Sequence, residues 1–174
     1  MGVTATFCVN ISSDDCIDEE QLNTEFESNR PKIIADERRH GAINGAIVIR
    51  SPQNPDIRVE DELEAVVQNL CFLALPELLA GKRVIVPYFR YPGEIELTPE
   101  GHQLLMSGEA IPEARLELRE AVFAFYECGQ RVVSFLRRLG GDSAESEDAI
   151  QYLEGKGKVA RQALLAEHLL SSIA

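Results

Sequence analysis

Lysine and arginine are missing from the first 29 residues, although the whole chain has 17 of them. Seven of its 29 acidic residues fall in that stretch, which supplies −7 of a net charge of −12. So acidic a chain is poorly suited to nucleic acid, whose affinity rests on phosphate neutralisation by Lys and Arg. No nucleic-acid partner is expected. Cysteine motifs are missing too. Cys8, Cys16, Cys71 and Cys128 form no CxxC pair, and they read as small buried apolar residues in a reducing compartment, not as a disulfide frame or a zinc site. No stretch approaches the roughly 18 apolar residues that span a bilayer. The N-terminus alternates where a secretory signal would have an apolar run. The expectation is a soluble cytoplasmic chain that does not engage membranes.

Signatures of chemistry are equally sparse. His40, His102 and His168 are isolated, with no HxH or HxxxH pair to seed a metal site. There is no G-x-S-x-G elbow. Gly155-Lys156-Gly157-Lys158 lacks the spacing of a phosphate loop and its Ser or Thr, and reads as a flexible helix break. Asp14 to Glu25 has the length of a calcium loop, but Cys16 takes its third place and Glu19 replaces the glycine at its sixth. Glu154-x-Lys156 with Asp148 upstream resembles a metal-nuclease arrangement, yet its glycine and helical flanks are the wrong setting. No cofactor, metal or catalytic residue is assigned.

What is present is an ordinary globular composition, 45% apolar and 26% charged over 174 residues. That is enough chain for one domain to bury roughly 70% of its unfolded surface. Residues 3–11 alternate as a half-buried strand, with Val3, Ala5, Phe7, Val9 and Ile11 on the core face and Thr4, Thr6, Cys8 and Asn10 on the wetter one. The acids Asp14, Asp15, Asp18, Glu19, Glu20, Glu25 and Glu27 come next. Asp18 and Gln21 make a capping box, flanked by Ile17 and Leu22 as a hydrophobic staple, so a short helix is expected over 19–28. Arg30-Pro31 marks a break. Strands are expected at 32–36 and 46–50, with their turn at His40-Gly41 or, better, at Asn44-Gly45.

After a turn-rich loop at 51–56 and an extended piece at 57–59, Asp61 with Glu64 caps a helix. Leu63, Val66, Val67, Leu70 and Ala74 form its buried stripe; Pro76 kinks it and Gly81 stops it. Residues 83–91 are β-branched and aromatic enough for a strand, and Pro92-Gly93 suits a type II turn. Residues 94–98, with Ile95 and Leu97 inward, and 102–106 complete a three-stranded meander. A long helix is expected from Pro112 to Leu139, with Leu118, Val122, Phe125, Cys128, Val132, Phe135, Leu136 and Leu139 inward. A C-terminal helical region over about 144–174 has apolar Leu169, Leu170 and Ile173 to dock. The order lacks regular βαβ alternation. It points to an α+β fold: one antiparallel sheet of five or six strands, with two long helices and the C-terminal region mainly on one face.

Two places could carry function. Asp14, Asp15, Glu25 and Glu27 are not explained by the helix cap, and they are candidates for meeting a basic protein partner. Tyr88, Arg90, Glu94, Glu96 and His102 lie on the meander and would line a pocket if there is one. The preferred expectation is a non-catalytic, soluble protein-interaction module. Its size, acidity and lack of catalytic motifs are those of a toxin-neutralising, immunity-type protein, an analogy of composition. The competing expectation is an enzyme of unknown class on the Tyr88–His102 meander. Self-association through the Pro112–Leu139 helix or the C-terminus, as a homodimer, is the third.

Overall fold

The computed structural model describes residues 2–12, 15–140 and 144–170, with 144–146 as backbone only. The fold is α+β, but it holds two separate four-stranded antiparallel sheets where one sheet of five or six strands was expected. In the first, β1 (Thr4–Asn10), β2 (Cys16–Asp18), β3 (Asn44–Ser51) and β4 (Asn54–Glu62) lie in the order β2-β1-β3-β4. In the second, β5 (Val84–Pro87), β6 (Glu94–Glu100), β7 (Gln103–Gly108) and β8 (Ile111–Glu117) form a meander in chain order. Ala5, Phe7 and Val9 are buried on the inner face of β1 as the alternation requires, and Ile95 and Leu97 are fully buried on β6.

The acidic segment begins as its cap predicts. The Asp18 carboxylate accepts from the Gln21 N–H at 2.9 Å, and the Gln21 side chain accepts in return from the Asp18 N–H, opening α1 (Glu19–Thr24) with Leu22 fully buried. The strand expected at 32–36 is not formed. Residues Phe26–His40 make helix α2 instead, straight through Pro31. A proline inside a helix costs about 3 kcal/mol, but here the carbonyl it orphans belongs to Glu27, which is exposed to water. Phe26, Asn29, Ile33 and Asp36 are buried at helical spacing. Burial of Phe26 and Ile33 contributes about 1.5–3 kcal/mol each, enough to offset the proline. Arg38, Arg39 and His40 occupy the last turn, and Gly41, at φ +77°, ends the helix. Asn44-Gly45 is therefore no hairpin turn. Gly45 sits inside β3, opposite Val9, where a Cβ would collide with the Cys8 carbonyl.

Helix α3 (Leu63–Val66), a π-helical stretch (Val67–Leu73) and α4 (Ala74–Leu79) run on without a gap, and the winding tightens again just before Pro76. Gly81 closes this helix as expected, its N–H bonded to the Leu78 carbonyl and that of Lys82 to Glu77. The long helix starts later than Pro112. Residues Ile111–Glu117 pair with β7 as β8, and α5 is Leu118–Leu139. Proline's preference for a first helical turn misled here, because Ile111, Ala114 and Leu116 bury against the meander. Every residue of the stripe expected on α5 is buried, and the stripe is used up in the chain's own core against β1, the π stretch and α6 (Ala144–Ala166). Residues 155–158 do not break α6. Phe72 of the π stretch fits between two helical glycines: a Cβ on Gly129 of α5 would lie 2.7 Å from its ring, and one on Gly157 of α6 3.4 Å. Leu169 and Leu170 pack on the core; Ile173 lies outside the described residues. Among the described residues no helix is long and apolar enough to cross a membrane.

The cysteines divide in two. Cys71 and Cys128 are free and buried, and burial pushes the Cys128 thiol up to about 12. Cys8 and Cys16 were also expected as separate thiols, but they are joined by a disulfide, with Cα atoms 6.1 Å apart. The β1–β2 register explains the pairing. Cys8 faces Asp18 and Cys16 faces Asn10, which puts the two cysteines in diagonal contact on one sheet face.

Candidate functional site

Strand β4 is the edge of the first sheet, and it fastens that sheet to the second at both of its ends. At Asn54 the side-chain amide donates to the Arg115 carbonyl of β8 at 2.8 Å. At the other end is Asp61, expected as a helix cap but used otherwise. Its carboxylate is buried and accepts three backbone N–H groups: Glu62 at 2.8 Å, Arg90 at 2.9 Å, and Phe89. A buried carboxylate is tolerated only when so completely hydrogen-bonded.

The segment that Asp61 holds was expected to continue β5. It is instead a loop over 88–93, because β5 ends at Pro87. The Tyr88 N–H closes the loop onto the Gly93 carbonyl at 3.2 Å, with Gly93 at φ +119°. A strand would have put Tyr88 and Arg90 on one face and Phe89 and Tyr91 on the other, and the loop does not. Phe89 is 64% exposed and Tyr91 53%, and the Arg90 guanidinium lies 5.9 Å from the Tyr91 ring centre. Tyr88 turns the other way, half-buried. Burial pushes its phenol above the ordinary range, and the negative charges of Asp61 and Glu60 push the same way. Its hydroxyl is buried with no hydrogen-bond partner among the described residues.

Beside this loop opens a cleft of about 510 Å³, lined by Arg58 and Glu60 of β4, Tyr88, Tyr91 and Pro92 of the loop, and Ala110 of the β7–β8 turn. Arg58, Glu60 and Ala110 were missed from sequence. The signal was available for the first two, since they alternate with buried Ile57 and Val59 and so had to share the outer face. Arg58 donates to Glu60 at 2.5 Å through Nε, and its Nη2 lies 3.3 Å from the Cys8 sulfur and 3.5 Å from that of Cys16.

Of the pocket residues expected on the meander, Tyr88 lines the cleft and Arg90 stands on its loop. Glu94 is exposed at the start of β6. Glu96 is taken by Arg83 at 2.5 Å and by the Thr98 hydroxyl at 3.0 Å; the bond from Arg83, with that from Thr98, holds its carboxyl below the usual range. His102 sits in the turn beyond the far end of β6, seven residues or about 20 Å along the strand from the loop. These five residues do not converge.

The acidic residues also separate. Asp14 lies outside the described residues. Glu19 is structural: it pairs with Arg131 of α5 at 2.6 Å, while Arg131 also donates to the Ala5 carbonyl. Asp15, Glu20, Glu25 and Glu27 are exposed and have no ion-pair partner among the described residues. Asp15 stands in the β1–β2 turn and Glu25 at the joint between α1 and α2. Glu154 of the would-be nuclease motif pairs with Arg137 at 2.5 Å on the surface of α6. No group of three or more metal-ligating side chains occurs among the described residues.

No protein-family profile matches this chain, and neither a curated protein nor a solved structure is detectably similar to it.

Proposed function

We propose that this chain is a non-catalytic protein-interaction module that meets its partner with the 88–93 loop and the cleft beside it. The observation that carries this reading is the combination at that loop: two well-exposed aromatic rings and an arginine on backbone pinned by a buried carboxylate. Tyr, Phe and Arg are the side chains that concentrate binding energy at protein interfaces. A loop held in place before binding avoids much of the ordering cost of association. The net charge of −12, with exposed carboxylates at Asp15, Glu20, Glu25 and Glu27, favours encounter with a basic partner. The enzyme reading placed His102 or Glu96 in a pocket with Tyr88, and both lie outside the cleft.

Site-specific photo-crosslinking in producing cells tests the proposal. A benzophenone side chain replaces Phe89, Tyr91 or, as the control, Tyr152, an exposed ring on α6. One discrete adduct is expected from positions 89 and 91 and none from 152. Once the partner is identified from its mass, Phe89→Ala with Tyr91→Ala should weaken its binding by about 30-fold or more, the scale of an interface hot spot. Raised salt should weaken it further. Equal crosslinking from all three positions, or binding indifferent to the double variant, would overturn the reading.

A further inference from the structure

We propose that Cys8 and Cys16 form a reversible thiol–disulfide exchange site, activated by Arg58, whose redox state is passed to the cleft through that same guanidinium. The geometry is specific. Cys8 is buried at 3% exposure in β1, while Cys16, on the three-residue edge strand β2, is half-exposed. Arg58 reaches both sulfurs with one nitrogen and Glu60 with another, and both Arg58 and Glu60 line the cleft.

The exchange balances with a low-molecular-weight thiol as co-reactant. Its thiolate attacks the sulfur of Cys16, the more exposed residue of the two, the S–S bond breaks, and Cys8 leaves as a thiolate facing the Arg58 guanidinium. A second thiolate then attacks the mixed disulfide, releasing Cys16 and the oxidised small molecule, so two electrons enter the protein. The charged groups around the pair are few. Asp18 stands opposite Cys8 on β2, Ala46 opposite it on β3, Glu60 opposite Ala46 on β4, and Arg58 is the one cation placed on the sulfurs among the described residues. A guanidinium beside a thiol lowers its pKa, because it stabilises the thiolate. In the disulfide state Glu60 is the anion that Arg58 serves. After reduction a thiolate competes for the same charge, and the cleft wall changes with it.

The test uses the whole chain and no partner. In the native state, mixtures of reduced and oxidised glutathione should move the protein reversibly between no alkylatable cysteine and an alkylatable Cys16, with buried Cys71 and Cys128 silent as internal controls. In the reduced protein, each pH unit by which the guanidinium favours the thiolate makes alkylation at pH 7 about threefold faster than in a chain without it, thiolate fraction and lower nucleophilicity combined. Arg58→Gln should abolish that gain and shift the alkylation pH profile upward by about one unit, and Arg58→Lys should restore most of both. The ring signals of Tyr88 and Tyr91 in NMR spectra should shift on reduction in the native chain and not in Arg58→Gln. Resistance to glutathione until the chain is unfolded would make the bond a static staple and overturn the exchange site. An unchanged pH profile in Arg58→Gln would overturn the role of Arg58. Unmoved tyrosine signals in the native chain would overturn the link to the cleft.

Discussion

Three glycines in helices give a test in which the sign of each effect is set by what a single methyl group would meet. Gly155 of α6 is exposed, and a Cβ there has nothing within 4 Å. Glycine in a helix interior costs about 1 kcal/mol relative to alanine. Gly155→Ala should therefore stabilise by about 0.5–1 kcal/mol, raising the melting temperature by roughly 1–4 °C for a chain of this size. At Gly157 the methyl would come 2.7 Å from the Gln130 amide, which can swing aside, and 3.4 Å from Phe72, an ordinary contact. That substitution should be close to neutral.

Gly129 differs in kind. Its methyl would lie 2.7–2.9 Å from the Phe72 ring and 2.8 Å from the Cys71 Cβ, and both neighbours are fully buried. Overpacking a core costs about 1–3 kcal/mol. With nowhere for the ring to move, the upper end applies, leaving a net loss of about 2 kcal/mol after the gain in helix propensity. Gly155→Pro separates a continuous helix from a flexible break. It should cost about 3 kcal/mol or more in a helix interior and next to nothing in a break. Urea unfolding followed by circular dichroism measures all four variants. A tolerated Gly155→Pro would refute the continuity of α6, and a Gly129→Ala as stable as Gly155→Ala would refute the packing of α5 on Phe72.

Two further outcomes are expected. Asp61→Ala leaves three backbone N–H groups without their acceptor, each unsatisfied buried donor costing about 1–3 kcal/mol, so a loss of about 3 kcal/mol or more in urea unfolding is expected. Amide exchange should quicken first at Phe89 and Arg90, and a loss under about 1 kcal/mol would show that the loop is not held by this carboxylate. Glu64 behaves oppositely to a paired acid: burial, then the negative charges of Glu37 and Glu62, hold its carboxyl above the usual range. The folded state thus keeps its proton more tightly than the unfolded one, and stability falls as pH rises from the ordinary glutamate range through the raised value. Glu64→Gln should raise the melting temperature at pH 7 and make no difference below about pH 4; an equal gain at both would show that charge is not the cause.

The elements legible in the sequence are those decided by neighbours a few residues away. The Asp18–Gln21 box, the Gly81 stop, the inward Ile95 and Leu97, and the α5 stripe all depend on spacings of two to four residues, and all stand in the fold. The misread elements were decided at a distance. Pro31 looked like a boundary until the burial of Phe26 and Ile33 outweighed it. Pro112 looked like a helix start until β7 offered a ladder. Gly157 looked like a hinge because Phe72, which fills the space beside it, is 85 positions earlier. The candidate site suffered most. Asp61 finds Phe89 and Arg90 across 28 and 29 residues, and the cleft takes its walls from β4, the loop and the β7–β8 turn. No local pattern announces such a meeting. Arg58 and Glu60 carried the only early hint, in their alternation with Ile57 and Val59.

The ties between β1 and α5 bear on how the chain comes off the ribosome. Val3 is bonded to Glu120 at 2.9 Å, and Arg131 holds both the Ala5 carbonyl and Glu19. Strand β1 is thus roofed by a helix made more than a hundred residues after it. At about 5–20 residues per second of synthesis, the apolar face of Ala5, Phe7 and Val9 waits roughly 6–25 s for its cover. Like-charge repulsion among the seven carboxylates of residues 14–27 opposes association in that interval. Stalled chains cut short before Leu118 should aggregate readily, and more so when Glu20, Glu25 and Glu27 are neutralised.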